Sequence, residues 1–411
     1  MARIGVFPFL GRGHLDPISA LCRRLVKHGH EVMLFHLTVA GPAIRRAGLR
    51  STPIDRHEQT AEPDALVERK LRPRHHQTVG VVSRQVKRVL REGADAVSAF
   101  RPQCLLIDHM DFAASSIAHL YNIPYITLSP AAPLWLNDDV PPSYFGWSEA
   151  SNVLGRIKVK FANHLVDRIT APILVEINEW RRCHGLNVLG GVNDTFSTSA
   201  IITQMPRCFD LPRRDHPRLF HTGPFADDWR DPTVSFPWSH LDGKPLIFAS
   251  LGTVRNNDLM RFQVIAEATS TLNVQLILSL GGGRILPSDL NGHMAGNTIV
   301  VDYAPQRELL ANSALAINCA GLNTTLDCIS AAVPMVVTPL AEDQPGVAVR
   351  IRRAGIGAVV WPRRPTVTDL RTTITQVLDT SSYLDRAKQL QQQFAEIDGI
   401  GRATKIINES I

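Results

Sequence analysis

One stretch of the sequence, residues 303–344, carries groups suited to binding a nucleotide sugar. Tyr303 offers a flat aromatic ring on which a base can stack, and Asp327 can accept hydrogen bonds from ribose hydroxyls. Residues 321–324 form a predicted turn into a helix, where backbone N–H groups can hold a diphosphate. Asp343 and Gln344 can bind the hydroxyls of a sugar.

The order of residue types in this stretch resembles the donor-binding signature of the family-1, UDP-sugar-dependent glycosyltransferases. The run L-N-T-T-L-D, followed by D-Q-P-G-V-A-V-R, is most similar to the form found in bacterial carotenoid (zeaxanthin) glucosyltransferases. The resemblance implies an α/β GT-B fold, in which two Rossmann-like doubly wound domains face each other across a cleft. It also implies transfer of a hexose, glucose by preference, from a UDP-sugar to a hydroxyl group of an acceptor.

The resemblance extends to the first loop, G-R-G-H-L-D-P, which matches the family's Gly-His-x-x-Pro pattern. It implies that His14 is the general base for the acceptor hydroxyl, a role that suits an imidazole titrating near neutral pH. The family places an Asp after a later strand to orient this base, and Asp108 fits that position best. Asp111 is the alternative, with a helix cap as its simpler role. A histidine in such a loop, taken alone, would equally suit capping or packing.

The implied reaction is an inverting displacement in which the acceptor oxygen attacks the anomeric carbon and UDP leaves. Negative charge grows on the leaving diphosphate, so the site must stabilise it. No Asp-x-Asp sequence occurs in the chain, which fits the family's independence of metal ions. We therefore expect no metal site and no required cofactor, with the UDP-sugar as co-substrate.

Further donor-binding positions follow from the resemblance. The S-L-G-T run resembles the family's phosphate-side loop, and Gln306 matches a base-reading position. Cys319 stands where the family usually has His, and a thiol is a weak hydrogen-bond donor. Losing one such donor costs about 2–4 kcal/mol of transition-state stabilisation. The predicted donor site comprises Gly252, Thr253, Tyr303, Gln306, Cys319, Gly321, Asn323, Thr324, Asp327, Asp343 and Gln344.

The family builds its acceptor pocket from the N-terminal domain, and two stretches are candidates, residues 56–79 and 129–147. The second contains three aromatic candidates for contact with an apolar ligand, Trp135, Tyr144 and Phe145. Packing of these rings within a long loop is the alternative. We expect a lipophilic, hydroxylated acceptor, with a carotenoid such as zeaxanthin favoured and a macrolide, flavonoid or sterol left open.

The elements that must position these residues follow an alternating strand and helix pattern in two sets, which predicts two doubly wound parallel sheets. Asp16 and Pro17 are typical of a helix start as N-cap and N1. Residues 1–222 are predicted to form the acceptor-binding domain, and the Pro- and Gly-rich residues 223–244 a linker. Residues 245–385 are predicted to form the nucleotide-sugar-binding domain, and residues 386–411 are predicted to form a C-terminal helix that packs back on the first domain.

Composition is that of a soluble globular protein of 411 residues, and the six scattered cysteines are typical of reduced thiols in the cytoplasm. The sequence shows neither a signal-peptide pattern nor a membrane-spanning run. The net charge of +6 is mild, and no aromatic-interleaved basic motif predicts nucleic-acid binding. Arg84, Lys87, Arg88 and Arg91 would share one helix face, either solvated or in peripheral contact with the inner membrane face.

Two other functions compete with transfer. A GT-B-like nucleotide-sugar epimerase would turn over a UDP-sugar without an acceptor, and His14 with Asp108 argues against it. A catalytically weak member that binds the UDP-sugar is favoured only by Cys319. Turnover without acceptor, or binding without product, would identify these alternatives.

Overall fold

The computed structural model describes residues 1–55, 74–254, 256–283, 285–290, 294, 298–361 and 365–411, with residues 74–78 described by their backbone alone. These residues form two parallel β-sheets, each flanked by helices on both faces. This is the predicted doubly wound α/β architecture.

The first sheet has seven strands in the order β3-β2-β1-β4-β5-β6-β7, all parallel. The central strands are wholly or mostly buried apolar runs, as expected where helices cover both faces of a parallel sheet. The strands are β1 (Arg3–Phe7), β2 (Glu31–His36), β3 (Arg50–Pro53), β4 (Cys104–Asp108), β5 (Tyr125–Ser129), β6 (Ile201–Thr203) and β7 (Leu219–His221).

The second sheet has six parallel strands in the order β10-β9-β8-β11-β12-β13. In both sheets the strand order reverses beside the first strand, and ligands bind at this switch point in open α/β sheets. The strands are β8 (Leu246–Ser250), β9 (Gln275–Ser279), β10 (Ile299–Val301), β11 (Ser313–Asn318), β12 (Met335–Val337) and β13 (Gly357–Val359).

Helices connect the strands on both sides of each sheet. A π-helical turn, Val89–Gly93, joins α3 to α4. The helices are α1 (Arg12–Lys27), α2 (Gly41–Arg46), α3 (Arg74–Arg88), α4 (Ala94–Phe100), α5 (Ala114–Leu120), α6 (Val153–Cys183), α7 (Leu259–Thr269), α8 (Gln306–Leu310), α9 (Leu322–Ser330), α10 (Gln344–Ala354), α11 (Val367–Asp379), α12 (Ser381–Ala395) and α13 (Gly399–Glu409).

Helix α1 begins earlier than the sequence predicts, and this decides where His14 lies. The prediction of Asp16 as N-cap is wrong: the helix is capped by Gly11, whose φ of 125° only glycine adopts readily. Pro17 lies inside the helix, where its ring nitrogen cannot donate to the Gly13 carbonyl four residues earlier. Because α1 begins at Arg12, His14 lies in its first turn. The carbonyl of the preceding residue, Gly13, accepts no hydrogen bond from Pro17 within the helix.

The C-terminal helices divide between the two domains, which corrects the predicted boundary at residues 385/386. That boundary falls inside α12, and α12 packs against α9 of the second domain. Helix α13 alone returns to the first domain, where Ile400, Ala403 and Ile407 join the core under α1. The chain between them, at Ile397 and Gly399, packs against Gly223 at the start of the linker.

The predicted basic face of α3 is only partly solvated, because α3 packs against α6. Lys87 Nζ lies 3.8 Å from the Glu176 carboxylate of α6. Arg84 and Arg88 are half-buried, while Lys87 and Arg91 are exposed. Within the described part of the chain, no helix combines the length and apolar character needed to cross a membrane.

Candidate active site

A cleft of about 810 Å³ lies between the carboxyl ends of the two sheets. Both domains and the linker line it. All of the predicted donor-binding residues line this cleft, together with His14 and Tyr144. The topology brings them together because the loops after β1 and β5 face the loops after β8, β11 and β12.

His14 and Asp108 form a hydrogen-bonded pair at the base of the cleft. His14 Nδ1 lies 2.9 Å from Asp108 Oδ2, so the imidazole can hold a proton on Nδ1 and keep Nε2 free. Asp108 is fully buried and also accepts from the backbone N–H groups of Phe9 and Met110. The Phe9 ring contacts the imidazole edge-on, with 5.4 Å between ring centroids. These contacts fix the orientation of the imidazole.

Burial and charge shift the pKa values of this pair in opposite directions. Burial lowers the pKa of His14, but the charge and hydrogen bond of Asp108, with the charge of Asp343, outweigh it and raise the pKa above its ordinary value. Burial raises the pKa of Asp108, yet the His14 and His109 charges and the hydrogen bonds it accepts hold it below its usual range. Asp108 is therefore a fixed negative charge behind the imidazole.

Sequence reasoning missed His109, which lines the cleft beside His14 with 5.8 Å between ring centroids. The Ser129 hydroxyl donates to the Ala131 carbonyl, so His109 Nδ1–H donates to Ser129 Oγ at 2.9 Å and Nε2 is left as an acceptor. Nε2 is buried without a hydrogen-bond partner among the described residues. Burial lowers the pKa of His109 to about 4, so the ring is neutral. Its place directly after a central strand was the available signal.

Asp111 lies behind this pair and has a structural role. Its Oδ1 accepts from the N–H groups of Ala113 and Ala114 at the start of α5, and Gln85 Nε2 donates to its other oxygen. Asp111 thus supports the start of α5, although the N-cap residue of this helix is Ala113 and not Asp111 as the helix-cap interpretation would have it. Burial raises its pKa to about 7.

His14, Asp108 and His109 also form the one group within the described part of the chain with metal-ligand spacing, since one ligand atom of each lies within 4.8 Å of the others. The Nδ1 atoms of both histidines are already engaged by Asp108 and Ser129. A metal ion would have to displace these contacts or use the two Nε2 atoms.

The start of α9 presents unpaired backbone N–H groups to the cleft. Its N-cap is Gly321, and a helix leaves its first four N–H groups without intrahelical partners. Ala320, just before it, has a φ of 62°, which is costly for a residue with a Cβ. The Asn318 side chain holds this turn by accepting from the Ala320 N–H. A helix N-terminus attracts negative charge, and this one lies at the predicted diphosphate position.

Tyr303 lies in the cleft, but Arg12 occupies one side of its ring. The Arg12 guanidinium lies 4.9 Å from the ring centroid. Gly282 packs so closely on the ring that a Cβ there would lie 2.3 Å from it. Base stacking on Tyr303, as predicted from the sequence, therefore requires Arg12 to move or the opposite side of the ring to remain open.

Asp327, the predicted ribose partner, is held by two neighbours from α8. Gln306 Nε2 donates to Asp327 Oδ2 at 2.7 Å, and Arg307 Nε donates to Oδ1 at 3.0 Å. The Thr324 hydroxyl donates to the side-chain amide oxygen of Gln306, Oε1, at 3.4 Å. Three of the predicted donor residues thus belong to one hydrogen-bond network. Arg307, which sequence reasoning missed, completes it.

Asn323, one of the predicted donor-binding residues, also links the two domains. Its Nδ2 donates to the Gly13 carbonyl at 2.6 Å, and its Oδ1 accepts from Gln204 Nε2 at 2.6 Å. The Gly13 carbonyl is free for this contact because Pro17 cannot donate to it. Gln204 also donates to the Pro130 carbonyl. Both ends of the Asn323 amide are therefore engaged by the first domain.

Asp343 and Gln344 lie at the cleft, each with a backbone partner. Asp343 Oδ2 accepts from the Ala132 N–H of the first domain at 3.0 Å. Burial, with the charge of Glu342, raises the pKa of Asp343 although this contact and His14 act against it. Gln344 Oε1 accepts from the Leu340 and Ala341 N–H groups, which shapes the turn before α10.

Cys319 is buried, and its thiol donates to the Leu251 carbonyl at 3.4 Å. Burial raises its pKa to about 11, so the side chain is a neutral thiol. It lies next to the phosphate-side loop, since a Cβ on Gly252 would be 3.7 Å from its sulfur. The thiol therefore offers no charge to a diphosphate.

Two of the three predicted acceptor aromatics lie away from the cleft. Trp135 contacts His216 and Phe196 at the core of the first domain, and Phe145 packs on Trp147. Tyr144 alone of the three lines the cleft. The stretch at residues 56–79 lies outside the described residues except for Val79 and the backbone from Arg74. The apolar wall that the structure shows is formed by Phe9, Leu10, Val81, Met110, Ala131, Ala132 and Leu134.

The linker also lines the cleft, which the sequence did not indicate. Arg307 Nη1 donates to the Asp227 carbonyl, and Arg23 forms two hydrogen bonds with the Asp227 carboxylate. Trp229 lies under the Arg23 guanidinium, with 4.7 Å between them. The linker thus forms one wall of the donor side.

Comparison with known proteins agrees with this arrangement. A family model described as "UDP-glucoronosyl and UDP-glucosyl transferase" matches residues 194–395. The zeaxanthin glucosyltransferase of Pseudescherichia vulneris is 30% identical over 75% of this chain and 73% of its own length. The chain therefore belongs to the family of UDP-glucoronosyl and UDP-glucosyl transferases. The zeaxanthin glucosyltransferase of Pantoea ananas is 29% identical over 96% of this chain and 93% of its own length.

Solved structures establish the fold of this glycosyltransferase as GT-B. The glycotransferase of kitacinnamycin superposes with a TM-score of 0.77 at 21% identity, covering 100% of this chain and 99% of that one. The calicheamicin glycosyltransferase CalG4 gives a TM-score of 0.74 at 18% identity, covering 100% and 98%. The expected two Rossmann-like domains across a cleft are thus confirmed.

Proposed function

We propose that this glycosyltransferase transfers glucose from UDP-glucose to a hydroxyl group of a lipophilic acceptor, a carotenoid such as zeaxanthin, with inversion at the anomeric carbon. The observation that carries this proposal is the His14–Asp108 pair, which faces the start of α9 across one cleft. Two relatives named zeaxanthin glucosyltransferase favour the acceptor class. A relative named oleandomycin glycosyltransferase, from Streptomyces antibioticus, favours a macrolide as the alternative acceptor.

In this proposal His14 Nε2 takes the proton from the acceptor hydroxyl as the oxygen attacks. Asp108 stabilises the imidazolium that forms and keeps its Nδ1–H in place. His109 Nε2, a neutral acceptor, binds a second hydroxyl of the sugar or the acceptor. The apolar wall of the first domain holds the body of the acceptor.

The leaving UDP is held without a metal ion in this proposal. N–H groups at the start of α9 and the phosphate-side loop at Gly252 and Thr253 receive the diphosphate. Asp343 and Gln344 contact the sugar, and the network of Gln306, Arg307 and Asp327 contacts the nucleoside.

Product analysis tests this function. The purified protein is incubated with UDP-glucose and zeaxanthin in detergent, in parallel with a macrolide and a flavonoid, and products are separated by chromatography and identified by mass. A zeaxanthin glucoside supports the full proposal. A glycoside of another acceptor alone would contradict the carotenoid assignment. UDP-glucose binding without any product would favour the catalytically weak alternative.

A further inference from the structure

The first half of α6 carries an exposed apolar stripe, and no residue of this helix lines the cleft. Leu154, Ile157, Phe161 and Leu165 recur at intervals of three and four residues, so they share one face of the helix. Their exposed fractions are 75%, 58%, 63% and 37%, and Val153 beside them is 73% exposed. Single exposed apolar residues are ordinary, but a contiguous stripe marks an interaction surface.

The opposite face of α6 fixes the helix to the first domain. Val159, Ala162 and Ile173 are buried on this side. Asn163 Nδ2 donates to the Asn137 carbonyl at 2.8 Å, in the loop that continues from the cleft-lining residues Ala132 and Leu134. The stripe therefore faces outward on a well-anchored helix that is connected to the acceptor side of the cleft.

Exposed cations border the stripe. By helical spacing, Arg156 and Lys160 lie along one side of the stripe and Lys158 lies along the other. Arg168 lies one turn beyond Leu165, the last residue of the stripe. Within the described part of the chain, one of these cations has an acidic partner, Lys160 with Asp138 at 3.5 Å. Lys158 lies over the Trp147 ring, 4.0 Å from its centroid. All four of these cations are exposed.

We propose that this face of α6 docks on an anionic lipid surface. The apolar side chains would enter the boundary of the acyl chains, and the flanking cations would contact lipid phosphates, as in interfacial amphipathic helices. A lipid surface is favoured over a protein because it satisfies an apolar centre and positive flanks along a straight helix without a matching groove. Docking is independent of sugar transfer, so failure of one does not decide the other.

Vesicle co-sedimentation of the full chain tests this inference. The wild type should bind vesicles of phosphatidylcholine with phosphatidylglycerol, and bind phosphatidylcholine alone more weakly. Leu154→Ser with Phe161→Ser should weaken partitioning about tenfold or more, because both apolar side chains lose burial in lipid. Arg156→Gln with Lys160→Gln should weaken binding to the anionic vesicles about fivefold per charge.

Two control variants make the test specific. Val175→Ser changes a 57% exposed residue of the same helix beyond the cations, and Lys87→Gln changes the exposed cation of α3. Both should bind vesicles like the wild type, and all variants should keep the wild-type circular dichroism spectrum. Equal vesicle binding by all variants, or none by the wild type, would overturn the proposal. A dimer lost in the Phe161 variant, without vesicle binding, would overturn it and assign the stripe to self-association.

Discussion

His14 acts in this account only when its imidazole is neutral, so activity should rise as the pH increases through its pKa. That pKa is raised above the ordinary value because Asp108 and Asp343 outweigh burial. In Asp108→Asn the remaining burial lowers the pKa, so the acidic limb of the kcat profile should move to lower pH. The kcat should also fall about 10²- to 10⁴-fold, because the imidazolium loses its stabilising charge. A pH profile of initial rates measures both effects, and an unmoved acidic limb would contradict the pairing.

His109 gives a second prediction at the scale of single residues. His109→Phe removes the neutral acceptor Nε2 and should raise KM more than it lowers kcat, since a bound hydroxyl loses its partner. The acidic limb of the pH profile should stay in place, because His14 keeps Asp108. Steady-state kinetics separates KM from kcat, and a shifted limb would show that His109 acts through His14 instead.

Single residues also show what the sequence could predict. His14, Asp108 and the donor residues follow from motif order, because they lie at the carboxyl ends of parallel strands or in the loops and helices that follow these strands. The residues from distant loops that contact these site residues could not be predicted from the motifs. The contact of Arg12 with the Tyr303 ring depends on how the two domains meet. The same holds for the hydrogen bonds of Asn323 with Gln204 and Gly13. No local pattern in the sequence records that geometry.

At the scale of elements, α10 is held to the first domain by a buried ion pair. Arg350 donates to Asp210 Oδ1 at 2.9 and 2.7 Å, with 1% and 0% of the two side chains exposed. Burial raises the pKa of Asp210, but the charges of Arg350 and Arg213 lower it well below its usual range. The carboxylate is therefore ionised and depends on its partners.

Arg350→Leu should accordingly reduce the free energy of unfolding by about 3–5 kcal/mol, because it leaves a buried charge with one partner fewer. The matched control is Arg353→Leu on the same helix, whose exposed pair with Glu149 should contribute about 0–1 kcal/mol. Chemical denaturation measures both variants. Equal reductions in the free energy of unfolding would show that the buried Arg350–Asp210 pair stabilises the protein no more than the exposed Arg353–Glu149 pair.

The alternating pattern of strands and helices could be predicted because buried apolar runs form strands such as β1, β4, β5 and β8. The start of α1 was predicted wrongly because Pro at a helix start is usual, whereas here Gly11 supplies the required backbone conformation. The boundary predicted at residues 385/386 falls wrongly inside α12, because the sequence of two consecutive amphipathic helices does not indicate which domain each helix contacts.

At the scale of the whole molecule, contacts between the domains surround the cleft. Asn323 with Gly13, Asp343 with Ala132 and Arg350 with Asp210 all join the second domain to the first. Binding of UDP should therefore stabilise the folded protein, by about 2.7 kcal/mol at a hundredfold excess over Kd. Thermal unfolding with UDP and with uridine at the same concentration separates the diphosphate contribution. An equal shift with both would contradict diphosphate binding at the start of α9.

The central claim is that His14 is the base of a metal-independent sugar transfer. Glucoside formation from UDP-glucose and zeaxanthin, with EDTA present, tests it most directly when the wild type is compared with His14→Ala and His28→Ala. His28 is the exposed residue that ends the same helix, and its variant controls for a lost imidazole. We expect product from the wild type and from His28→Ala, and a loss of about 10²-fold or more in His14→Ala. Full activity in His14→Ala, or loss of all activity in EDTA, would contradict it.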